Sequence, residues 1–267
     1  MTPPDRSRNA HTARTARHEP DDDDDSFDTR LIWAGLFLSL ALFAKVPTID
    51  LIFSQRYYTP QAGFFQANNP LVQALYQYTP MLGNTLLVLS ALLALGAPRL
   101  ARLARRQGQN HAATQLTGLW RRTAIGLLLM ATLSSGLIVE LGLKNFMGRP
   151  RPVQTIEFGG DQPFHGAFQR GDNPGSHRSF VSGHAAAGFS LIALGLFAGR
   201  TWRRRWTLIG LTAGALVGLG RIMQGGHYLS DVVFSFYAVW LSCELVAFGM
   251  RRWDQRRQAP PRAPTAT

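Results

Sequence analysis

Apolar residues gather along this chain in six blocks, 31–47, 81–97, 124–143, 180–199, 206–220 and 232–250, with arginine-rich segments between several of them. Most blocks approach the roughly 20 residues that a helix rising about 1.5 Å per residue needs to cross hydrocarbon. Each block is apolar on all sides rather than along one stripe, and a soluble bundle of such helices would have no polar face to turn to water. The pattern predicts an all-α membrane bundle with six transmembrane helices over residues 31–250. The first, second and fifth blocks are also short enough to be buried core helices.

A formal charge of +12 admits nucleic acid as a partner until the placement of the charge is considered. Arg99, Arg102, Arg105, Arg106, Arg121 and Arg122 lie between the second and third blocks, Arg200 and Arg203 to Arg205 between the fourth and fifth, and Arg251, Arg252, Arg256 and Arg257 after the sixth. Such juxtamembrane clusters mark the cytoplasmic side. The reading is therefore no nucleic-acid partner, both termini in the cytoplasm, and segments 48–80, 144–179 and 221–231 on the outer side. The second outer segment breaks the bias by holding Lys144, Arg149, Arg151, Arg170 and Arg178, which calls for a functional reason. Cys243 is the one cysteine, so no intrachain disulfide forms and a packing role is expected.

Residues 1–30 are polar, with an aspartate run from Asp21 to Asp25, and read as a disordered cytoplasmic tail; residues 251–267 read as a basic cytoplasmic tail. No small-residue cleavage site follows the first block, which favours a retained anchor. Tyr57, Tyr58, Phe64, Phe65, Tyr76 and Tyr78 suit the headgroup layer and could equally help to hold a lipid.

Three fragments carry chemistry. The first is Lys144, followed by Arg151-Pro152 in the pattern K-x6-R-P; a lysine point charge and a guanidinium fork in one segment suit a phosphate dianion. Taken alone, a snorkelling lysine beside a basic loop would look the same. The second is Ser182-Gly183-His184 at the start of the fourth block, where free N–H groups at a helix start favour an anion and histidine can move a proton. A small-residue helix start packed on a neighbour gives the same letters. The third is Arg221, with His227 and Asp231 four residues apart at the start of the sixth block and hence on one helical face. There the aspartate can take the Nδ1 proton of His227 and leave Nε2 as nucleophile or base. Ionisable groups at a membrane boundary are costly when idle. The arginine counts place all three fragments on one side, so topology collects them independently of their content.

K-x6-R-P, S-G-H and R-x5-H-x3-D, in that order and on those block ends, resemble the three signature motifs of the type 2 phosphatidic acid phosphatase superfamily, which includes vanadium haloperoxidases. The resemblance covers about residues 124–250. It implies a metal-independent phosphatase with no cofactor, in which His227 is the nucleophile and forms a phosphohistidine, Asp231 orients it and His184 is the general acid. Lys144, Arg151, Ser182, Gly183 and Arg221 would bind phosphate. Val181 and Gly220 stand where the family usually has proline and serine, and neither position carries an essential charge or proton. The runs Ser179 to His184 and Gly225 to Asp231 look most like the lipid A phosphatase-like branch. The implied partners are membrane lipids and a lipid phosphate substrate: lipid A, undecaprenyl diphosphate or a glycerophospholipid phosphate.

Two other readings compete. A metal-assisted phosphatase would draw on His165, His177, His184, His227, Asp161 and Asp172, but no metal-ligand spacing such as H-E-x-x-H is present. A non-enzymatic binder or translocator of anionic lipid needs the cations but not a histidine oriented by a carboxylate. Glu140 is expected to pair with Lys144, and Glu244 to snorkel.

Overall fold

The computed structural model describes residues 25–134, 136, 147–171 and 177–258. Lys144, Glu140, Asp172, most of the aspartate run and the end of the third apolar block lie outside them, as do residues 1–24 and 259–267 of the expected tails. The chain divides into two compact units, residues 1–38 and 39–267. The first holds the opening turns of helix α1 (Asp25–Lys45), where the rings of Trp33 and Phe37 stack at 6.3 Å. The second holds the remainder, including every motif residue described.

The fold is mostly helical. After α1 come α2 (Thr48–Gln55), a two-stranded antiparallel ribbon of β1 (Tyr58–Thr59) and β2 (Gly63–Phe64), α3 (Pro70–Arg106), α4 (Asn110–Gln115) and α5 (Arg121–Ala131). Two 3-10 turns, Pro152–Gln154 and Ile156–Phe158, precede α6 (Gly183–Phe189), which continues as the 3-10 helix Ser190–Gly195. Helices α7 (Arg200–Met223) and α8 (Leu229–Gln258) complete the chain.

Among the described residues, α3, α7 and α8 are each long and apolar enough to cross a membrane. A fourth span follows if Thr29–Lys45 and Thr48–Gln55, bent by 88° at their break, are counted as one. The expected count of six is therefore not reproduced by helix length and composition. The block 180–199 folds as α6 and its 3-10 continuation, a shorter apolar helix, and the block 124–143 is described only in part. Conversely, α3 is longer than its block. It takes in residues 70–80, which the sequence places in an outer loop, and carries Tyr76 and Tyr78 on its first turns. Arg251 to Arg257 lie on the last turns of α8.

Helix α8 is the centre of the bundle: 61% of its apolar stretch is buried, against 17% for α3. Leu127, Met130, Ala186, Phe189, Val239 and Cys243 form the core around it. Leu82, Leu89, Leu92 and Leu95 on α3, and Leu208 and Leu216 on α7, point outward, as side chains solvated by lipid do.

Glycine allows α6 to lie directly on α7. A Cβ on Gly188 would stand 2.7 Å from Gly214 Cα, and one on Gly214 would stand 2.2 Å from the Phe189 ring. Backbones approach this closely in membranes through small residues. Because the Gly188 contact is with backbone, a larger side chain there cannot be accommodated by a rotamer change. Gly188→Val is expected to destabilise the bundle by about 1–3 kcal/mol, read as a lower unfolding midpoint in detergent.

Candidate functional site

Arg221 is in the last turn of α7 and 7% exposed. Its guanidinium lies 4.5 Å over the Tyr76 ring and donates to the Gln224 side chain, while Nε has no hydrogen-bond partner. Gly226 is what lets it pass, since a Cβ there would stand 2.2 Å from Arg221 Nη2. The His184 imidazole stacks on the same Tyr76 ring, with centroids 5.0 Å apart. Tyr76 thus touches two motif residues; the sequence offered it as an interfacial aromatic that could equally help to hold a lipid.

Ser182 caps α6 through Oγ, which accepts from Ala185 N at 3.4 Å. Its backbone N–H donates to the Asp231 carbonyl at 3.1 Å, and its carbonyl accepts from Ser235 Oγ at 2.8 Å. The second motif is therefore fastened to the third, with Gly183 half-buried beside it.

His227 is buried in the turn before α8, not on the helix where the sequence placed it. Gly225, at φ +64°, makes the turn, and a Cβ there would meet the Phe64 ring at 2.4 Å. The spacing still pairs His227 with Asp231: Nδ1 stands 3.4 Å from Oδ2. This distance is within ion-pair range, but the alignment falls short of a hydrogen bond and leaves Nδ1 otherwise unpartnered. Asp231 reaches back from the first turn of α8 to accept from Tyr228 N at 2.9 Å, as an acidic residue does at a helix start. Burial pushes the His227 imidazole below its ordinary 6.5, because desolvation disfavours the charged ring; Asp231 works against the shift, and Arg221 and Arg151 add to it.

Arg151 is exposed, with its backbone N–H held by Gln154 Oε1 at 2.8 Å, and its charge acts on both Arg221 and His227. Of the sequence-derived set, Arg151, Ser182, Gly183, His184, Arg221, His227 and Asp231 come together, and Lys144 lies outside the described residues. Among the described residues, no group of three or more His, Cys, Asp or Glu side chains is close enough to hold a metal ion.

Beneath these residues is a cluster built on Arg149, which the sequence flagged only as one of five basic residues in segment 144–179. Arg149 is 0% exposed and donates to Asp231 Oδ1 at 2.6 Å, Asp50 Oδ2 at 2.7 Å, Ser230 Oγ at 2.8 Å and the His165 carbonyl at 2.8 Å. It lies 4.2 Å over the Tyr228 ring. Burial works against the Arg149 charge, but the carboxylates of Asp231 and Asp50 outweigh it and hold the guanidinium above its ordinary value. Ser179 Oγ donates to Asp231 Oδ2 at 2.6 Å. One signal was available in advance: Asp50 is the single acid in segment 48–80, which the sequence places at a membrane boundary, where an ionisable residue seeks a partner.

The PAP2 superfamily model matches residues 124–256. A lipid A 4'-phosphatase of Rhizobium leguminosarum is 31% identical over 233 residues, 82% of this chain and 91% of that protein. The chain belongs to the PAP2 superfamily. Two further relatives are lipid A 4'-phosphatases: that of Francisella tularensis subsp. novicida, 35% identical over 128 residues, and that of Rhizobium etli, 38% identical over 142. These alignments take in 48% and 52% of this chain, and the chain spans only 58% and 52% of those two relatives' lengths. No solved structure matches the chain. The PAP2 match includes Arg149, Arg151, Ser182, His184, Arg221, His227 and Asp231, but not Asp50 or Tyr76.

Proposed function

We propose that this PAP2 protein is an integral membrane phosphatase that releases phosphate from a lipid, with lipid A as the first substrate to test. The observation that carries the reading is the unpartnered, buried Arg221 guanidinium Nε beside Arg151 and the buried His227. Two cations and a neutral nucleophile around one point form a receptor for a phosphate group. The names of the relatives supply the lipid class. Undecaprenyl diphosphate and glycerophospholipid phosphates are the competing substrates. The proposed topology is six spans, with the site on the outer face of a bacterial inner membrane.

In the proposed reaction Nε2 of His227 attacks phosphorus, forming the N–P bond as the P–O bond to the lipid breaks. His184 gives its proton to the departing alkoxide. A water that loses its proton to His184 then attacks the phosphohistidine and frees inorganic phosphate. Lys144, Arg151, Arg221, Ser182 and the Gly183 backbone hold the phosphoryl oxygens, and positioning with charge stabilisation supplies most of the acceleration. No metal takes part in this scheme, so a chelator should leave turnover unchanged.

The test is phosphate release by the purified protein from lipid A, undecaprenyl diphosphate and phosphatidic acid, with chelator present. His227→Ala should abolish release and retain lipid binding. Unchanged turnover in that variant, or lipid binding by wild type with no turnover on any of the three, would favour a non-enzymatic binder. The pH profile gives a second check. Attack needs neutral His227, whose value is lowered by burial, so the midpoint of the acid limb of release should lie below 6.5. An acid limb with its midpoint above 6.5 would contradict this.

A further inference from the structure

The buried cluster beneath His227 contains more charge than an orienting aspartate needs. Asp50, Arg149 and Asp231 are each 0% exposed, and they come from α2, the outer loop and α8. Among the described residues, the groups hydrogen-bonded to the Asp50 oxygens are all donors: Ser230 N at 2.8 Å on Oδ1, with Ser230 Oγ at 2.6 Å and Arg149 Nη2 at 2.7 Å on Oδ2. That environment fits an ionised carboxylate. Asp231 divides its two oxygens. Oδ1 goes to Arg149 Nη1, while Oδ2 faces Ser179 Oγ, Tyr228 N and His227 Nδ1.

We propose that Asp50 and Arg149 are positioning residues for the Asp231–His227 pair. Arg149 occupies Oδ1 and so turns Oδ2 toward the imidazole, and Asp50 anchors Arg149 while adding a second carboxylate behind it. This deepens the proposed function and rests on its assignment of His227 as nucleophile. Two carboxylates around one guanidinium leave one net negative charge in a dry site directly behind His227. As Nε2 bonds to phosphorus the ring becomes cationic, and that excess charge stabilises the change. Had Asp50 been absent, Arg149 would cancel Asp231 and the imidazole would face a neutral group. Among the described residues, the other charges facing His227, Arg221 and Arg151, oppose a cationic ring, so the carboxylate excess is what offsets them.

Asp50→Asn removes the charge and preserves the shape. Two measurements on the full chain in lipid nanodiscs test the idea. The first is a 15N-histidine NMR titration, with the His227 signal assigned by its loss in His227→Ala. In Asp50→Asn the His227 value should fall by at least about half a pH unit, with Asp50→Glu returning it toward wild type. The second is phosphate release from lipid A across pH. Here kcat should fall about tenfold or more while KM and inhibition by orthovanadate stay within about threefold, and the acid limb should move to lower pH. An unshifted His227 titration, or kcat within about threefold of wild type in Asp50→Asn, would overturn the proposal. So would a parallel loss of kcat, KM, vanadate inhibition and melting temperature, which marks a purely structural role. If the wild type releases no phosphate from lipid A, that outcome counts against the proposed function, and the NMR titration still decides whether Asp50 controls the charge on His227.

Discussion

Asp231→Asn is expected to lower turnover by about three to four orders of magnitude, the scale seen when the orienting carboxylate of a histidine is made an amide. The effect follows from the donors around the side chain. Arg149 Nη1 must keep an acceptor, so the amide oxygen takes the Oδ1 place and the amide nitrogen faces Ser179, Tyr228 N and His227 Nδ1. The serine hydroxyl can rotate to accept. His227 can only respond by presenting an unprotonated Nδ1, which moves its proton to Nε2 and removes the lone pair needed for attack. Steady-state release from lipid A checks this. A kcat within about tenfold of wild type in a folded Asp231→Asn protein would remove the orienting carboxylate from the mechanism.

The second large effect concerns stability. Arg149→Met takes the guanidinium from between Asp50 and Asp231 and leaves two buried carboxylates facing each other. Breaking a buried pair from one side costs about 3–5 kcal/mol, and Ser230 and the His165 carbonyl lose a donor as well. The unfolding midpoint in detergent should fall accordingly. Arg149→Lys should recover only part of the loss, because one ammonium group cannot span four acceptors. The two sites should also be strongly non-additive. Combining Asp50→Asn with Arg149→Met should cost clearly less than the two single losses together, because each change removes the partner that makes the other harmful.

The motif residues were legible in the sequence because their chemistry is local. Arg221, His227 and Asp231 lie within eleven residues, and the Gly-Gly break between them announces a turn. The sequence put His227 on the helix, where Gly225 in fact forms a turn that delays α8 to Leu229. Arg149 and Asp50 were not legible in the same way. They are separated by 99 positions, and no periodicity links a short helix after a bend to a loop beyond α5. Hydropathy marked where apolar residues collect but not where helices break. Within 180–199 the Ser182 cap starts α6 late, and α6 gives way to a 3-10 helix after Phe189. Similarly, α3 runs past its apolar block because a helix already formed continues through polar residues at little cost.

The bond from Arg149 to Asp50 also bears on what can be separated from what. The stretch that matches the PAP2 superfamily begins at residue 124, and such a boundary invites its expression as a minimal catalytic fragment or its exchange between relatives. Cut there, the fragment would keep Arg149 and Asp231 but lose the carboxylate that α2 supplies, along with Tyr76 from α3. Grafts that respect this chemistry would carry residues 48–106 with the recipient site, and chimaeras joined at the family boundary would inherit a guanidinium matched to another protein's α2.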